Sequence, residues 1–102
     1  MRFSGFDWDE ANENKCQKHG ISIGEIESVF RGAVVILPDI DHSQAERRFR
    51  AIGRTSQGRL TFVVFTQRGR SGNIKIRPIS ARFMHRREAA NYEENYPDLQ
   101  DR

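Results

Sequence analysis

LTFVVFTQRGRSGNIKIRPIS (residues 60–80) carries the clearest structural signal in the chain. Residues 60–66 are rich in Phe, Val and Thr, which favour strands, and residues 74–80 form a second run of this kind. The intervening segment 68–73 contains two glycines and indicates a hairpin turn. Pro78 cannot donate a hydrogen bond to a neighbouring strand, so the second strand is predicted to lie at an edge or to contain a bulge.

Two further strands are predicted upstream of this hairpin. The β-branched run of residues 33–37 is ended by Pro38. In the other strand, apolar and basic residues alternate, which predicts one face on the core and one face of guanidinium groups. The apolar set is Phe49, Ala51 and Gly53, and the basic set is Arg48, Arg50 and Arg54.

Two helices are predicted before the first strand. The first covers residues 9–19, is capped by Asp7 or Asp9, and stops at Gly20, a residue suited to the left-handed position after a helix. The second covers residues 23–31 and begins with a capping box of the form Ser-x-x-Glu.

The chain after Met84 predicts a C-terminal helix that ends at Pro97. Two N-terminal helices, a four-stranded mainly antiparallel sheet and a C-terminal helix together indicate an α+β domain. We expect residues 1–102 to form one domain, because a chain of this length supports one modest core.

The charges are sorted along the chain. From Arg47 to Arg87 there are twelve Lys or Arg and no Asp or Glu, while residues 1–46 carry a net charge of −5 and residues 88–102 one of −4. Fourteen of the seventeen cations are Arg, which binds phosphate through two hydrogen bonds and stacks on bases. A polyanionic partner is therefore favoured. The alternative is a solvated basic face whose charge is offset by the acidic ends.

No apolar run approaches the length of a membrane span, and residues 1–5 do not resemble a secretory signal. These features predict a cytoplasmic protein without a membrane partner. Cys16 is the only cysteine, which excludes an intramolecular disulfide and multi-thiolate metal sites. We expect an ordinary thiol on a helix.

Cleavage of RNA without a metal needs a base, an acid and fixed cations for the charge that builds on the phosphate. Candidates for these roles are Lys18, His19, His42, Arg54, Arg68, Arg82 and His85. Arg82 and His85 would share a face if a helix had begun by that point. The loop DIDH (residues 39–42) could hold a divalent ion, or Asp39 could simply bind local backbone amides. No cofactor-binding motif is present, and neither a cofactor nor a metal is expected.

Many short motifs, in order and at matching spacing, resemble the BrnT toxin family. They are residues 6–10 (FDWDE), 18–22 (KHGIS), 39–43 (DIDHS), Arg47, 52–55 (IGRT), 58–59 (GR), 65–68 (FTQR), 79–82 (ISAR), Glu88 and Tyr92. The resemblance covers roughly residues 3–94. It implies a RelE-like fold, ribonuclease activity that inhibits translation and growth, and a ribbon-helix-helix antitoxin as partner.

The hypothesis is therefore metal-independent cleavage of RNA, free or on the ribosome, by in-line attack of a 2′-hydroxyl. Arg54 and Arg82 would hold the phosphate, and His19 or His42 would exchange the proton. The expected RNA-binding residues are Lys18, Arg47, Arg48, Arg50, Arg68, His85 and Arg86. The rivals are a non-catalytic module that binds RNA or an antitoxin, and a domain whose arginines accept an acidic protein.

Two positions depart from the family pattern. Many members carry Lys where Asn12 stands and Tyr where Phe65 stands, so a hydroxyl that could act on substrate is absent. If Phe65 faces the core, as its alternation with Thr66 permits, the missing hydroxyl has no bearing on activity.

Overall fold

The computed structural model describes residues 2–40, 46–70 and 72–95. Within these residues, three helices and a five-stranded mixed sheet make up an α+β fold, and the strand order is β1-β5-β4-β3-β2. In chain order the elements are β1 Gly5–Phe6, α1 Glu10–Cys16, α2 Ile23–Val29, β2 Val34–Pro38, β3 Phe49–Arg54, β4 Leu60–Arg70, β5 Asn73–Phe83 and α3 Arg86–Asn95.

Antiparallel pairing of β2, β3, β4 and β5 confirms the predicted strands. The predicted hairpin between β4 and β5 is confirmed, but its turn is shorter than the predicted segment 68–73, because β4 continues to Arg70 and pairs there with Asn73 of β5. A bulge shifts the register between Val64 and Phe65, opposite Pro78. This agrees with the expectation that the proline would need a bulge or an edge.

The prediction of four strands is wrong by one, since β1 pairs in parallel with β5. Ser4 donates its backbone N–H to the Ile74 carbonyl, and Asp7 donates to the Ile76 carbonyl. The side chain of Phe6 packs edge-on to Phe30, with ring centroids 5.8 Å apart. A strand of two residues is too short to show the alternation of apolar and polar side chains that identifies a strand in a sequence. Strand β1 is therefore defined only by its pairing with β5.

Both N-terminal helices begin at capping boxes and are shorter than predicted. Asp9 accepts from the Asn12 backbone, while the Asn12 side chain accepts from Asp9. Helix α1 ends at Cys16, and Gly20 closes the following turn at φ +87°. Ser22 and Glu25 form the predicted box of α2.

The two faces of the sheet have different covers. Helices α1 and α2 pack on one face, where the core includes Ile21, Ile26, Val29, Phe30 and Val63. Helix α3 packs its Ala89 and Tyr92 against Ile52, Leu60 and Met84 on the other. Among the described residues, no helix has the length and apolar character that crossing a bilayer requires.

Phe65 lies in the core, which resolves the question of its missing hydroxyl. The ring is fully buried, stacks on Phe49 at 5.5 Å and meets Phe30 edge-on at 5.2 Å. A tyrosine hydroxyl on this side chain would point into apolar surroundings rather than toward a ligand on the opposite face. Phe65 is therefore a structural residue.

Asn12, the other departure from the family pattern, joins α1 to β5. Its side chain is 5% exposed. It donates to the carbonyls of Asp7 and Pro78, each at 2.9 Å, and accepts from the Asp9 backbone at 2.7 Å. A lysine side chain could not accept the hydrogen bond from the Asp9 backbone, so it would not make the same three bonds. Asn12 therefore has a structural role.

We predict that Asn12→Ala lowers the free energy of unfolding by about 1–3 kcal/mol, because the buried Pro78 carbonyl loses its donor. Asn14→Ala is the matched control, since Asn14 is exposed on the same helix. It should change stability by less than about 0.5 kcal/mol. Urea denaturation of both variants measures the difference, and equal effects would contradict the role given to Asn12.

Candidate nucleic-acid interface

Described acidic residues from both flanks of the basic middle form ion pairs with its arginines. Arg54 pairs with Glu93 at 2.5 Å, and Arg82 pairs with Glu88 at 2.9 Å. At the opposite end of the sheet, Arg68 contacts Glu46 and Asp7, and Arg77 contacts Asp7 and Asp9. At least four of the twelve cations thus have carboxylate partners among the described residues, so the positive field is confined to a smaller area than the sequence suggests.

The Arg82–Glu88 pair joins the last strand to the last helix. Both terminal nitrogens of the guanidinium donate to the carboxylate, at 2.9 and 3.0 Å. Glu88 also accepts from the backbone N–H of His85 at 2.9 Å, which satisfies an otherwise unpaired donor at the start of α3. The pKa of Glu88 is lowered to about 2. The largest cause is the hydrogen bonding from Arg82, and the next largest is the hydrogen bond from the His85 backbone.

Arg54 lies beside α3 as well. Its guanidinium donates to Glu93 and to the Gly58 carbonyl, the latter at 2.8 Å. Its side chain is 16% exposed. This arrangement commits two of its nitrogens to the protein and places it with Ser28, Ala33 and Thr55 rather than with His19.

A groove of about 430 Å³ forms where β5 passes into α3. Its lining residues are His19, Arg59, Arg82, Phe83, Met84, His85 and Arg86. The chain brings His19 to it from the turn that follows α1, more than 60 residues away from His85. Two imidazoles and three guanidiniums therefore line one open surface.

Arg82 and His85 do meet in this groove, but the predicted reason is wrong. No helix has begun at Arg82, which is still in β5, and His85 immediately precedes α3. Both residues line the groove because only two residues separate the end of β5 from the start of α3. Glu88 stabilises this connection by accepting hydrogen bonds from the Arg82 side chain and from the His85 backbone.

Arg59 was missed as a candidate. It precedes β4, and its guanidinium carbon lies 3.9 Å from the centroid of the Phe83 ring, close enough for a cation–π contact. No described carboxylate lies within salt-bridge distance of it. The pairing of Thr61 with Phe83 creates this contact, and that register could not be read from a lone Gly-Arg dipeptide.

A second, smaller concavity of about 190 Å³ adjoins the groove and is called the cleft below. Its walls include His19, Arg50, Phe62 and Arg82, and its floor is Val64 and Ser80. Phe62 was also missed by sequence reasoning. Arg50 and Arg82 place their guanidinium carbons 5.8 and 4.5 Å from the centroid of its ring.

The other predicted RNA-binding residues are spread apart. Lys18 is exposed next to His19, and Arg47 lies over the Phe49 ring at 5.6 Å. Arg48 is half-buried just before β3. Arg68 lies at the far end of the sheet in its carboxylate network. His42 and the loop around Asp41 fall outside the described residues, so neither the histidine nor the divalent-ion alternative is placed.

Cys16 matches the expectation of an ordinary helical thiol. It is fully buried in the core, and burial raises the pKa of the thiol to about 11. It is kept from solvent and protonated at neutral pH, which are poor conditions for a nucleophile.

Comparison with protein-family models matches residues 8–88 to the family described as the ribonuclease toxin BrnT of type II toxin–antitoxin systems. A search of curated proteins finds no match. The matched span includes His19, Arg59, Arg82 and His85, and ends at Glu88.

We predict that the stabilisation by Glu88 is present above pH 4.5, its ordinary pKa, and declines as the pH falls toward about 2. The sign follows from the lowered pKa, since the folded protein favours the ionised carboxylate. Glu88→Gln should therefore lower the Tm at pH 7, and the gap from wild type should narrow between pH 5 and pH 3.

Thermal unfolding followed by circular dichroism at each pH measures the gap. Glu94→Gln, on an exposed position of the same helix, is the control and should have little effect. A Tm gap for Glu88→Gln that is the same at pH 3 and pH 7 would contradict the assignment.

Proposed function

The chain belongs to the BrnT family of ribonuclease toxins of type II toxin–antitoxin systems, and we propose that it cleaves RNA without a metal, in the groove at the start of α3. Such cleavage requires groups that move protons and groups that hold charge. The observation that carries the proposal is the convergence of His19, His85, Arg59 and Arg86 on that single groove.

These side chains support the following reaction. One imidazole accepts the proton of a ribose 2′-hydroxyl as its oxygen attacks the adjacent phosphorus. The other donates a proton to the 5′-oxygen as the phosphorus–oxygen bond breaks. The products are a 2′,3′-cyclic phosphate and a 5′-hydroxyl. Histidine suits both roles because it exchanges protons near neutral pH.

Arg59 and Arg86 are assigned to the scissile phosphate. No described carboxylate lies within salt-bridge distance of either, and Arg59 is steadied by the ring of Phe83. Fixed guanidiniums stabilise the negative charge that develops on the phosphoryl oxygens during attack. Lys18, beside His19, adds to the attraction for the RNA backbone.

Arg82 takes a positioning role in this proposal. Both of its terminal nitrogens donate hydrogen bonds to Glu88. Arg82 therefore borders the groove and holds α3 in place, and it does not bind the phosphate through both terminal nitrogens. Arg54 does the same at the far side of α3 through Glu93. His42 stays a candidate from sequence alone.

The family match also supports a proposal about the wider setting. We propose a single cytoplasmic domain with a RelE-like fold, whose activity inhibits translation and growth, acting on RNA free or on the ribosome. Its antitoxin, of ribbon-helix-helix type, would cover the same basic surface with acidic and apolar side chains. Toxin activity and its neutralisation would then depend on one surface.

We predict that the purified protein cleaves end-labelled RNA in EDTA and that His19→Ala lowers the rate by about 10²–10⁴-fold, since proton transfer is lost. Arg59→Ala should lower it by about 10²-fold or more, because one fixed charge at the phosphate is removed. Arg59 is a cleaner choice than Arg82, whose removal would leave Glu88 without its partner and loosen α3.

Arg70→Ala is the matched control, since Arg70 is exposed at the distant hairpin. It should cleave at nearly the wild-type rate. Wild-type rates in both His19→Ala and Arg59→Ala would rule out this groove as the site. Binding without cleavage, with or without ribosomes, would instead favour the non-catalytic module.

A further inference from the structure

The cleft beside the groove has a floor and walls that follow from strand register. Arg50, Val64 and Ser80 lie opposite one another across β3, β4 and β5. Phe62 and Arg82 form the adjacent pair, two residues along each strand. Side chains two residues apart point to the same face of a sheet. The short side chains of Val64 and Ser80 therefore form a floor between longer cationic and aromatic side chains.

The walls are held before any ligand arrives. Arg50 and Arg82 both contact the ring of Phe62, and Arg82 is also bonded to Glu88. Groups fixed in this way lose little side-chain freedom when a ligand binds, so less of the binding free energy is spent on ordering them.

The size and chemistry of the cleft select its occupant. At about 190 Å³ it is smaller than the pockets of roughly 300–1,000 Å³ that take drug-sized ligands, so it suits a single planar ring system. Aromatic rings and guanidinium planes are the surfaces on which unstacked bases of single-stranded RNA are received. The Ser80 hydroxyl adds a hydrogen-bond donor and acceptor at the floor.

We propose that the cleft is a nucleobase-binding subsite that receives one unstacked base of single-stranded RNA. The proposal rests on the function proposed above, because His19 and Arg82 border both concavities. Because the cleft adjoins the groove, a nucleotide with its base in the cleft could place its phosphate in the groove. The subsite would thus place the backbone for cleavage and exclude bases held in a duplex.

The test compares two 2′-O-methyl oligonucleotides of equal length, one with bases and one abasic. Neither offers a 2′-hydroxyl for attack, so binding is measured whether or not the protein is a nuclease. Fluorescence anisotropy at a fixed salt concentration should show the base-containing strand binding wild type about tenfold more tightly, given the usual strength of stacking on aromatic side chains.

Two substitutions of Ser80 distinguish binding of a base in the cleft from general electrostatic attraction to the RNA backbone. Ser80→Leu fills the floor with a branched side chain, whereas Ser80→Ala leaves it open. Ser80→Leu should bring the affinity ratio of the two strands close to one and leave the affinity for the abasic strand unchanged. Ser80→Ala should keep most of the preference. If Ser80→Leu kept the wild-type ratio of affinities for the two strands, the proposal would be overturned. A side chain of a partner protein would then be the candidate occupant of the cleft.

A measurement on wild type guards against a variant that fails to fold. The methyl NMR signals of Val64 should shift on adding the base-containing strand, because the ring current of a base above the floor acts on them, and should stay in place with the abasic strand. Equal shifts with both strands would also overturn the subsite. Cleavage activity with no such difference would refute the subsite while leaving the ribonuclease assignment intact.

Discussion

The ion pair between Arg82 and Glu88 determines which part of the basic surface stays open. It docks α3 on the end of the sheet, caps the first turn of that helix through His85, and fixes one wall shared by the groove and the cleft. If α3 were displaced, Ile52 and Leu60 would lose their cover and the groove would lose a side. The stability of the helix and the geometry of the proposed site therefore depend on the same contact.

The sorted charge of the chain has a structural use. Acidic residues from both flanks fold back and pair with Arg54, Arg68, Arg77 and Arg82, so much of the basic middle serves to bind the protein to itself. The alternative of a basic face offset by the acidic flanks describes these four arginines. A polyanion-binding face stays a proposal, and it concerns other arginines. Among the cations for which no described carboxylate partner is seen, Arg50, Arg59 and Arg86 border the two concavities.

Local patterns predicted most of the fold, because capping boxes, alternation and turn residues act over a few positions. The capping box at Ser22, the strands around Phe49 and Val63 and the bulge at Pro78 all followed from near neighbours. Strand β1 did not, since a two-residue strand exists only through its pairing with β5.

The site was harder to predict for the same reason. Arg59 and Phe62 become site candidates only through contacts with Phe83 and Arg82, some 20 residues away. The sequence predicted Arg54 to be a phosphate ligand. In the structure it donates to Glu93, which lies 39 residues further along the chain and could not be identified as its partner from the sequence. Cross-strand register and helix docking decide which cation faces solvent, and composition does not encode either.

The chemical ends left on cleaved RNA distinguish attack by the 2′-hydroxyl from attack by water. We expect wild-type protein in EDTA to yield fragments with 2′,3′-cyclic phosphate and 5′-hydroxyl ends, identified by mass spectrometry, because the attacking oxygen belongs to the RNA itself. Fragments with 5′-phosphate ends would contradict it, since they require attack by water on the phosphorus. Cleavage that appears only when a divalent ion is added would contradict it equally.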